Sequence, residues 1–379
     1  MKKIILLLCI VLISGCKQEY VHPLKENMSK ENKVSLMAVG DNLIHEQMLK
    51  EADQKAGKMN DLNYDFTAYY QHILTFLAKN DINYINQETI LGGEDLKIAG
   101  YPSFNTPSIM AYTLNDVGFN VINSATNHCL DRGFEGIQHS RSLWRQFKDT
   151  INVGVNDSEE DEQSIRVIEK NGIRFAWLSY TYGTNGINLP NEYCVNLFDK
   201  ERITKEVERA KKISDVVIVS AHWGDEYHFT TNSMQQDYAN FLASLGVDVI
   251  IGGHPHVIEP IEWIKSNEHQ TLVIYSLGNF VHGMLELETQ LGGMVTMDFL
   301  KKEDQVTIEN VKWHSLVNHF EGSAEDIMNT RANFTVYPLE DYSEELAKTH
   351  GLNGYNGIEV SRKWFEEKTH EVIDETFLE

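Results

Sequence analysis

One short layout recurs along this chain and restricts how it can fold. A helical stretch stops at a glycine, a buried apolar strand follows, and groups able to bind a metal sit just past the strand's carboxyl end. In one copy the glycine is Gly118, the strand is 121–124 and the polar end is Asn127-His128. In another the glycine is Gly246, the strand is 247–251 and the end is His254-Pro255-His256. A third unit has a helix ending near Asn80, a strand at 82–85, then Asn86 and Glu88. Strands alternating with helices build an α/β sheet, and such sheets bind ligands outside the carboxyl ends of their strands. Three ends carrying Glu, Asn and His imply one convergent polar site, with a metal as its simplest occupant.

The rest of the chain fits this rhythm with one interruption. Residues 34–39 read as a buried strand running into the turn Gly40-Asp41-Asn42. Helices are expected at 64–79, with Phe66, Tyr69, Tyr70, Ile73, Leu74 and Leu77 on one side, at 109–117 behind Pro107 as first helical residue, and at 134–147. The segments 165–169 and 173–179 flank Asn171-Gly172, a type I′ hairpin signal that places antiparallel strands in an otherwise alternating chain. Helices at 200–212 and 234–245 and strands at 216–220, 272–275 and 294–299 follow, and 306–313 alternates as a partner for 294–299. The pattern weakens near residue 318. The main domain is therefore read as 34–317 and residues 318–379 as a C-terminal extension packed on it, with a helix at 358–373 contacting through Trp364 and Phe365.

The first residues read as a processing signal. Met1-Lys2-Lys3 is a charged start, and the apolar run 4–13 is shorter than a membrane span requires. It ends in Leu12-Ile13-Ser14-Gly15-Cys16, the form of a bacterial lipobox, so residues 1–15 are expected to be removed and Cys16 lipidated. Residues 16–33 are a polar tether, and the protein is expected on the extracellular face of the cell membrane, held by lipid. With 33 basic and 56 acidic residues the formal charge is −23, which excludes the basic footprint of a nucleic-acid binder. Beyond Cys9 and Cys16 only Cys129 and Cys194 remain, and they are read as free thiols.

Candidate chemistry gathers at the strand ends. Asp41 and, four residues on, His45 follow the first strand; Glu88 follows a strand too apolar to end in a carboxylate by accident. Asn127 offers a carbonyl oxygen, His128 can ligate or protonate a leaving group, and Asp131 is placed to orient its ring. His222 ends a further strand, and Pro255 stiffens the turn between His254 and His256. Asp41, His45, Glu88, Asn127, His222, His254 and His256 exceed what one tetrahedral zinc needs and suit two divalent ions bridged by a carboxylate. Their mixed oxygen and nitrogen donors favour manganese, iron or zinc.

In succession, Gly40-Asp41 with His45, Asn86-Gln87-Glu88, Asn127-His128 with Asp131, Gly133 and Gly136, His222-Trp223-Gly224 with Glu226-Tyr227, Gly252 with His254-Pro255-His256-Val257, and the run 275–280 make the chain resemble the CapA family of poly-γ-glutamate capsule biosynthesis proteins. That family belongs to the metallophosphatase-like superfamily. The resemblance implies a metallophosphoesterase-like four-layer α/β/β/α sandwich. It implies Asp41, His45 and His256 on one ion, Glu88 bridging, Asn127, His222 and His254 on the second, and His128 as general acid. Asp41 and His45 stand farther apart than the superfamily's Asp-x-His, and Glu88 replaces a bridging Asp. The implied activity is a metal-dependent hydrolase acting on a phosphoester or a γ-glutamyl amide. The alternative is a non-catalytic subunit that helps assemble or export the polymer, with the polymer or its synthase complex as partner.

The anchor is directly testable: Cys16→Ala should move the protein from membrane to soluble fractions or block its processing, read by fractionation and mass spectrometry. Unchanged retention with normal processing would exclude a lipid anchor at Cys16.

Overall fold

The computed structural model describes residues 32–378, so the signal, Cys16 and most of the tether lie outside the described residues. Four parallel strands come first: β1 (Asn32–Asn42), β2 (Ile82–Gln87), β3 (Val121–Asn123) and β4 (Ile151–Val153). A second sheet then starts with the hairpin β5 (Arg166–Lys170) and β6 (Ile173–Thr181). Its turn, Asn171-Gly172, has φ of 48° and 78°, as a type I′ turn requires. Parallel strands β7 (Val216–His222) and β8 (Val249–Gly253) extend it, and β9 (Ile261–Ser266) and β10 (His269–Ile274) complete the order β5-β6-β7-β8-β10-β9. The chain then returns to the first sheet with β11 (Asn279–Val281), β12 (Leu291–Lys302), β13 (Gln305–Glu321) and β14 (Ala332–Pro338), in the order β14-β13-β12-β1-β2-β3-β4 with β11 beside β1.

Strand periodicity decides how the sheets stack. Along β6, Phe175 and Trp177 face one way and Ala176, Leu178 and Tyr180 the other, and all five are buried. The outward set packs with Ile203, Val207 and Ala210 of the helix Lys200–Ile213 and with Ala239 and Leu242 of the helix Ser233–Leu245. The inward set meets the first sheet: Trp177 stacks on Tyr84 at 5.4 Å, and Phe175 meets Phe299 edge-on at 4.9 Å. The far face of the first sheet is covered by a second helical layer, in which Tyr70 stacks on Phe280 at 5.9 Å and Tyr69 lies 6.3 Å from Phe334. The architecture is thus the four-layer α/β/β/α sandwich expected from the sequence. Both sheets are buried on both faces, which is why their central strands read as continuous apolar runs.

Three expectations need correction. The helix expected at 64–79 is a 3₁₀ segment, Thr67–Ile73, followed by a short α-helix, Leu74–Lys79. The Thr335 hydroxyl takes the carbonyls of Ala68 (2.9 Å) and Tyr69 (3.4 Å), which an α-helix would need for itself. Pro107 precedes the cap residue Ser108 rather than opening the helix Ile109–Val117. The boundary at 317/318 falls inside β13, and β14 pairs with its end, so the start of the extension is an edge of the first sheet. Buried polar residues hid that strand: Asn318 and His319 are both in the core, with His319 Nδ1 2.9 Å from the Tyr342 hydroxyl. Cys129 and Cys194 are free and buried in one apolar cluster, as expected, and burial pushes the Cys129 thiol up to about 12. No helix among the described residues is long and apolar enough to cross a membrane.

Trp177→Ala should cost about 3–5 kcal/mol of unfolding free energy in urea titration, because it empties the contact between the two sheets. A loss below 1 kcal/mol would mean that the sheets do not depend on this pair.

Candidate metal centre

The site forms where the carboxyl edges of both sheets meet. Asp41 sits in β1 level with Asn86 of β2 and Asn279 of β11. The crossing is tight: a Cβ on Gly40 would stand 1.9 Å from the Gly278 carbonyl oxygen, and the Asp41 N–H donates to that oxygen at 2.9 Å. Glu88 follows β2 and is held through its backbone, whose carbonyl accepts from the Thr126 hydroxyl at 2.8 Å. His222 ends β7, and His254 and His256 follow β8.

Buried amides hold these groups in register. Asn86 Nδ2 donates to Asp41 Oδ1 at 2.6 Å, Asn123 Nδ2 donates to Asn86 Oδ1 at 2.7 Å, and the Ser179 hydroxyl of the second sheet donates to Asn123 Oδ1. On the other oxygen of Asp41, the His254 N–H donates at 3.1 Å and His256 Nδ1 lies at 3.3 Å. His254 and His256 have φ of 102° and 61°, a left-handed backbone that costs a side-chain-bearing residue about 1–3 kcal/mol. Such strain persists where the surroundings over-determine it; here the Asp41 carboxylate and the intervening Pro255 do so.

The donors group around Glu88. Asp41, Glu88 and His256 place ligand atoms within 4.8 Å of one another, and so do Glu88, His222 and His254. The Glu88 oxygen lies 3.8 Å from His256 Nε2 and 3.9 Å from His222 Nε2. A third group combines Glu226, His254 and His256. Asn127 Oδ1 is 3.0 Å from His222 Nε2. Glu88 is fully buried, yet among the described residues neither of its oxygens has a hydrogen-bond partner, and buried His254 Nδ1 has none. A carboxylate so placed is several kcal/mol unfavourable unless a cation or a proton meets it. Burial and Asp41 push the Glu88 carboxyl well above its usual range, although His256 opposes them. Burial also lowers His222 and His254 well below the ordinary imidazole value, with neighbouring imidazoles adding to the effect. Burial would lower His256 too, but Glu88 and Asp41 outweigh it and raise the ring to about 9. His222 and His254, held neutral by burial, together with His256, Asp41 and the Glu88 carboxyl, form a mixed nitrogen and oxygen donor set that fits divalent transition metals.

Asp41, Glu88, Asn127, His222, His254 and His256 therefore converge. His128 stands beside the donor groups, its Nδ1 2.8 Å from Asp131 Oδ2, and Asp131 is itself fixed by the Phe104 N–H at 2.7 Å. His45 joins none of the donor groups among the described residues. Three residues carry it beyond β1 to the cap of the helix Glu46–Lys55, where it meets Phe104 edge-on at 5.3 Å. Its Nδ1 lies 3.1 Å from both the Leu43 carbonyl and the Gly283 N–H; the first contact suits a ring ligating through Nε2, the second the opposite tautomer. Sequence reasoning passed over Glu226 as a donor. Asn279, within the run 275–280 that carries part of the resemblance, sets its Oδ1 3.1 Å from His256 Nδ1 and orients that ring.

Residues 35–284 match the family described as bacterial capsule synthesis protein PGA_cap. The chain is 36% identical over 171 residues to "PGA biosynthesis protein CapA" of Bacillus subtilis (strain 168), covering 44% of each protein. It is 26% identical over 288 residues to "Capsule biosynthesis protein CapA" of Bacillus anthracis, covering 73% of this chain and 66% of that one. The matches thus span less than two thirds of either relative. Among solved structures, NAD nucleotidase (NadN) of Haemophilus influenzae aligns with TM-score 0.46 at 13% identity, over 91% of this chain and 64% of that one. Calcineurin-like phosphoesterase YfkN of Bacillus subtilis aligns with TM-score 0.41 at 17% identity, over 75% and 90%.

Replacing His254 and His256 together by Ala should remove most bound metal, measured by elemental analysis, while circular dichroism stays that of the folded protein. Full metal retention would place the ions elsewhere.

Proposed function

The chain belongs to the bacterial capsule synthesis protein family PGA_cap, and from that membership we propose that it is a lipid-anchored surface hydrolase of poly-γ-glutamate capsule formation, with two divalent transition-metal ions in its site. The observation that carries the metal assignment is Glu88: fully buried, unpartnered at both oxygens and shared by two donor groups. Asp41 and His256 would hold one ion, His222 and His254 with Asn127 the other, and Glu88 would bridge them. Two such ions supply an activated water and stabilisation of a developing oxyanion.

The protein's own groups supply the proton chemistry. Asp131 accepts from His128 Nδ1, which fixes the ring and leaves Nε2 to work on substrate. Protonated His128 then donates from Nε2 to the leaving group, an amine for a γ-glutamyl amide or an alkoxide for a phosphoester. The Phe104 N–H on Asp131 and the Phe104 ring, edge-on to His128 at 4.8 Å, hold the pair in place. A cavity of about 500 Å³ opens beside His128 and His256.

Metal analysis of the purified protein, with turnover of a generic phosphoester and of γ-glutamyl polymer, tests the reading. Two ions and hydrolysis of either substrate are expected. His128→Asn should then lower the rate about a hundred- to ten-thousand-fold with metal retained. Loss of metal in that variant would make His128 a ligand. Two bound ions with no turnover of either substrate would favour the accessory-subunit alternative.

A further inference from the structure

The cavity beside the metal donors is also lined by a cation that the proposed chemistry does not use. Arg331 lies on the segment leading into β14, beyond the residues that match the family. It is 9% exposed and lines the same cavity as His128, Glu226 and His256. One Nη donates to the Gly283 carbonyl, the guanidinium carbon lies 5.9 Å over the Phe320 ring, and Nε, sealed from solvent, has no hydrogen-bond partner among the described residues. No carboxylate pairs with it among the described residues, although Glu46, Glu226 and Glu286 also line the cavity. The other buried arginine, Arg141, shows the usual arrangement, its guanidinium gripped by Asp161 with two bonds of 2.9 Å.

The fold fixes Arg331 where it is. Glu51, on the helix Glu46–Lys55, accepts from the backbone N–H groups of Asn333 at 2.8 Å and Phe334 at 3.2 Å, and Gln47 donates to the Met328 carbonyl. These bonds pin both sides of Arg331 to the helix that starts at His45, so the guanidinium reaches the cavity on a rigid support. A guanidinium that lines a cavity, spends one Nη on a backbone carbonyl and has no carboxylate on it keeps its second Nη for an anion such as a carboxylate.

We infer that Arg331 binds the free α-carboxylate of a γ-glutamyl chain whose amide bond lies at the metal donors, and so selects this polymer over neutral amides. The inference rests on the hydrolase reading above and adds the group by which substrate is recognised. Every residue of a γ-glutamyl chain carries a free α-carboxylate, so a chain threaded along the cavity presents one to Arg331.

Calorimetric binding of a short γ-glutamyl oligomer and of its α-carboxamide counterpart, to the protein as purified and after chelation, tests it. The wild-type protein should prefer the acid by about tenfold to a hundredfold, and Arg331→Met should abolish that preference while binding of the amide stays unchanged. If Arg331→Met does not fold, Arg331→Gln carries the same comparison. Equal affinity of the wild type for acid and amide would overturn the inference, as would no binding of either. A parallel loss of both ligands in the variant would mark Arg331 as a strut and likewise overturn it. Metal content measured on the same samples separates this outcome from failure of the metal assignment, because the acid-over-amide preference is also read in the chelated protein.

Discussion

A carboxylate fully removed from water and left without a hydrogen bond is the constraint around which this structure is arranged. Glu88 has no exposure and, among the described residues, no hydrogen-bond partner at either oxygen. Burying such a group unpaired would outweigh most single favourable contacts in a domain. The surroundings therefore have to bring a cation or a proton to it, and the fold sets donors for a cation around it: His222 from the second sheet, His254 and His256 from the loop after β8, and Asp41 from β1. The sandwich brings the carboxyl edges of two sheets together so that each contributes ligands. The amide relay from Asp41 through Asn86 and Asn123 to Ser179 crosses from one sheet to the other and fixes their relative register at the site. The left-handed backbone at His254 and His256 follows from the same demand. One Asp41 oxygen accepts from the His254 N–H at 3.1 Å and lies 3.3 Å from His256 Nδ1, so both residues are held against the same carboxylate.

The parts of this arrangement legible in the sequence share one property: local order carries them. Strand ends at Asn127, His222 and His254 are visible because an apolar run stops abruptly at a ligand-type residue. Glu88 is visible for the same reason, and the strands 294–299 and 306–313 pair as their alternation predicts. What was hidden depends on contacts between distant segments. Asn279 looks like a turn residue until β11 sets it beside His256. The end of β13 reads as loop because Asn318 and His319 are polar, and only their buried partners make a strand there tolerable. Glu226 is exposed and looks like ordinary surface in a chain of charge −23; its relation to His254 and His256 arises from the loop after β7 folding back, where the Tyr227 N–H donates to the Pro255 carbonyl at 2.8 Å. His45 is the converse case: the resemblance implies a ligand there, but its wider spacing from Asp41 carries it to a helix cap.

The region beyond residue 318 has a different standing from the one its weak sequence pattern suggests. It closes the edge of the first sheet through β14 and delivers Arg331 to the cavity. The donor groups all come from the stretch matching the family, residues 35–284, whereas this cation comes from outside it. The division has a physical logic. Metal donors must be placed to within tenths of an ångström and here sit at or just past the ends of paired strands, whereas a group that contacts the remote part of a ligand tolerates a support that is only pinned at its ends. Glu51 provides that pin by accepting two backbone N–H groups next to Arg331. A change in the edge segment can therefore alter which ligand the cavity accepts without disturbing Glu88 and its imidazoles, since the two sets of groups share one cavity and no hydrogen bond beyond the Gly283 backbone that joins His45 to Arg331.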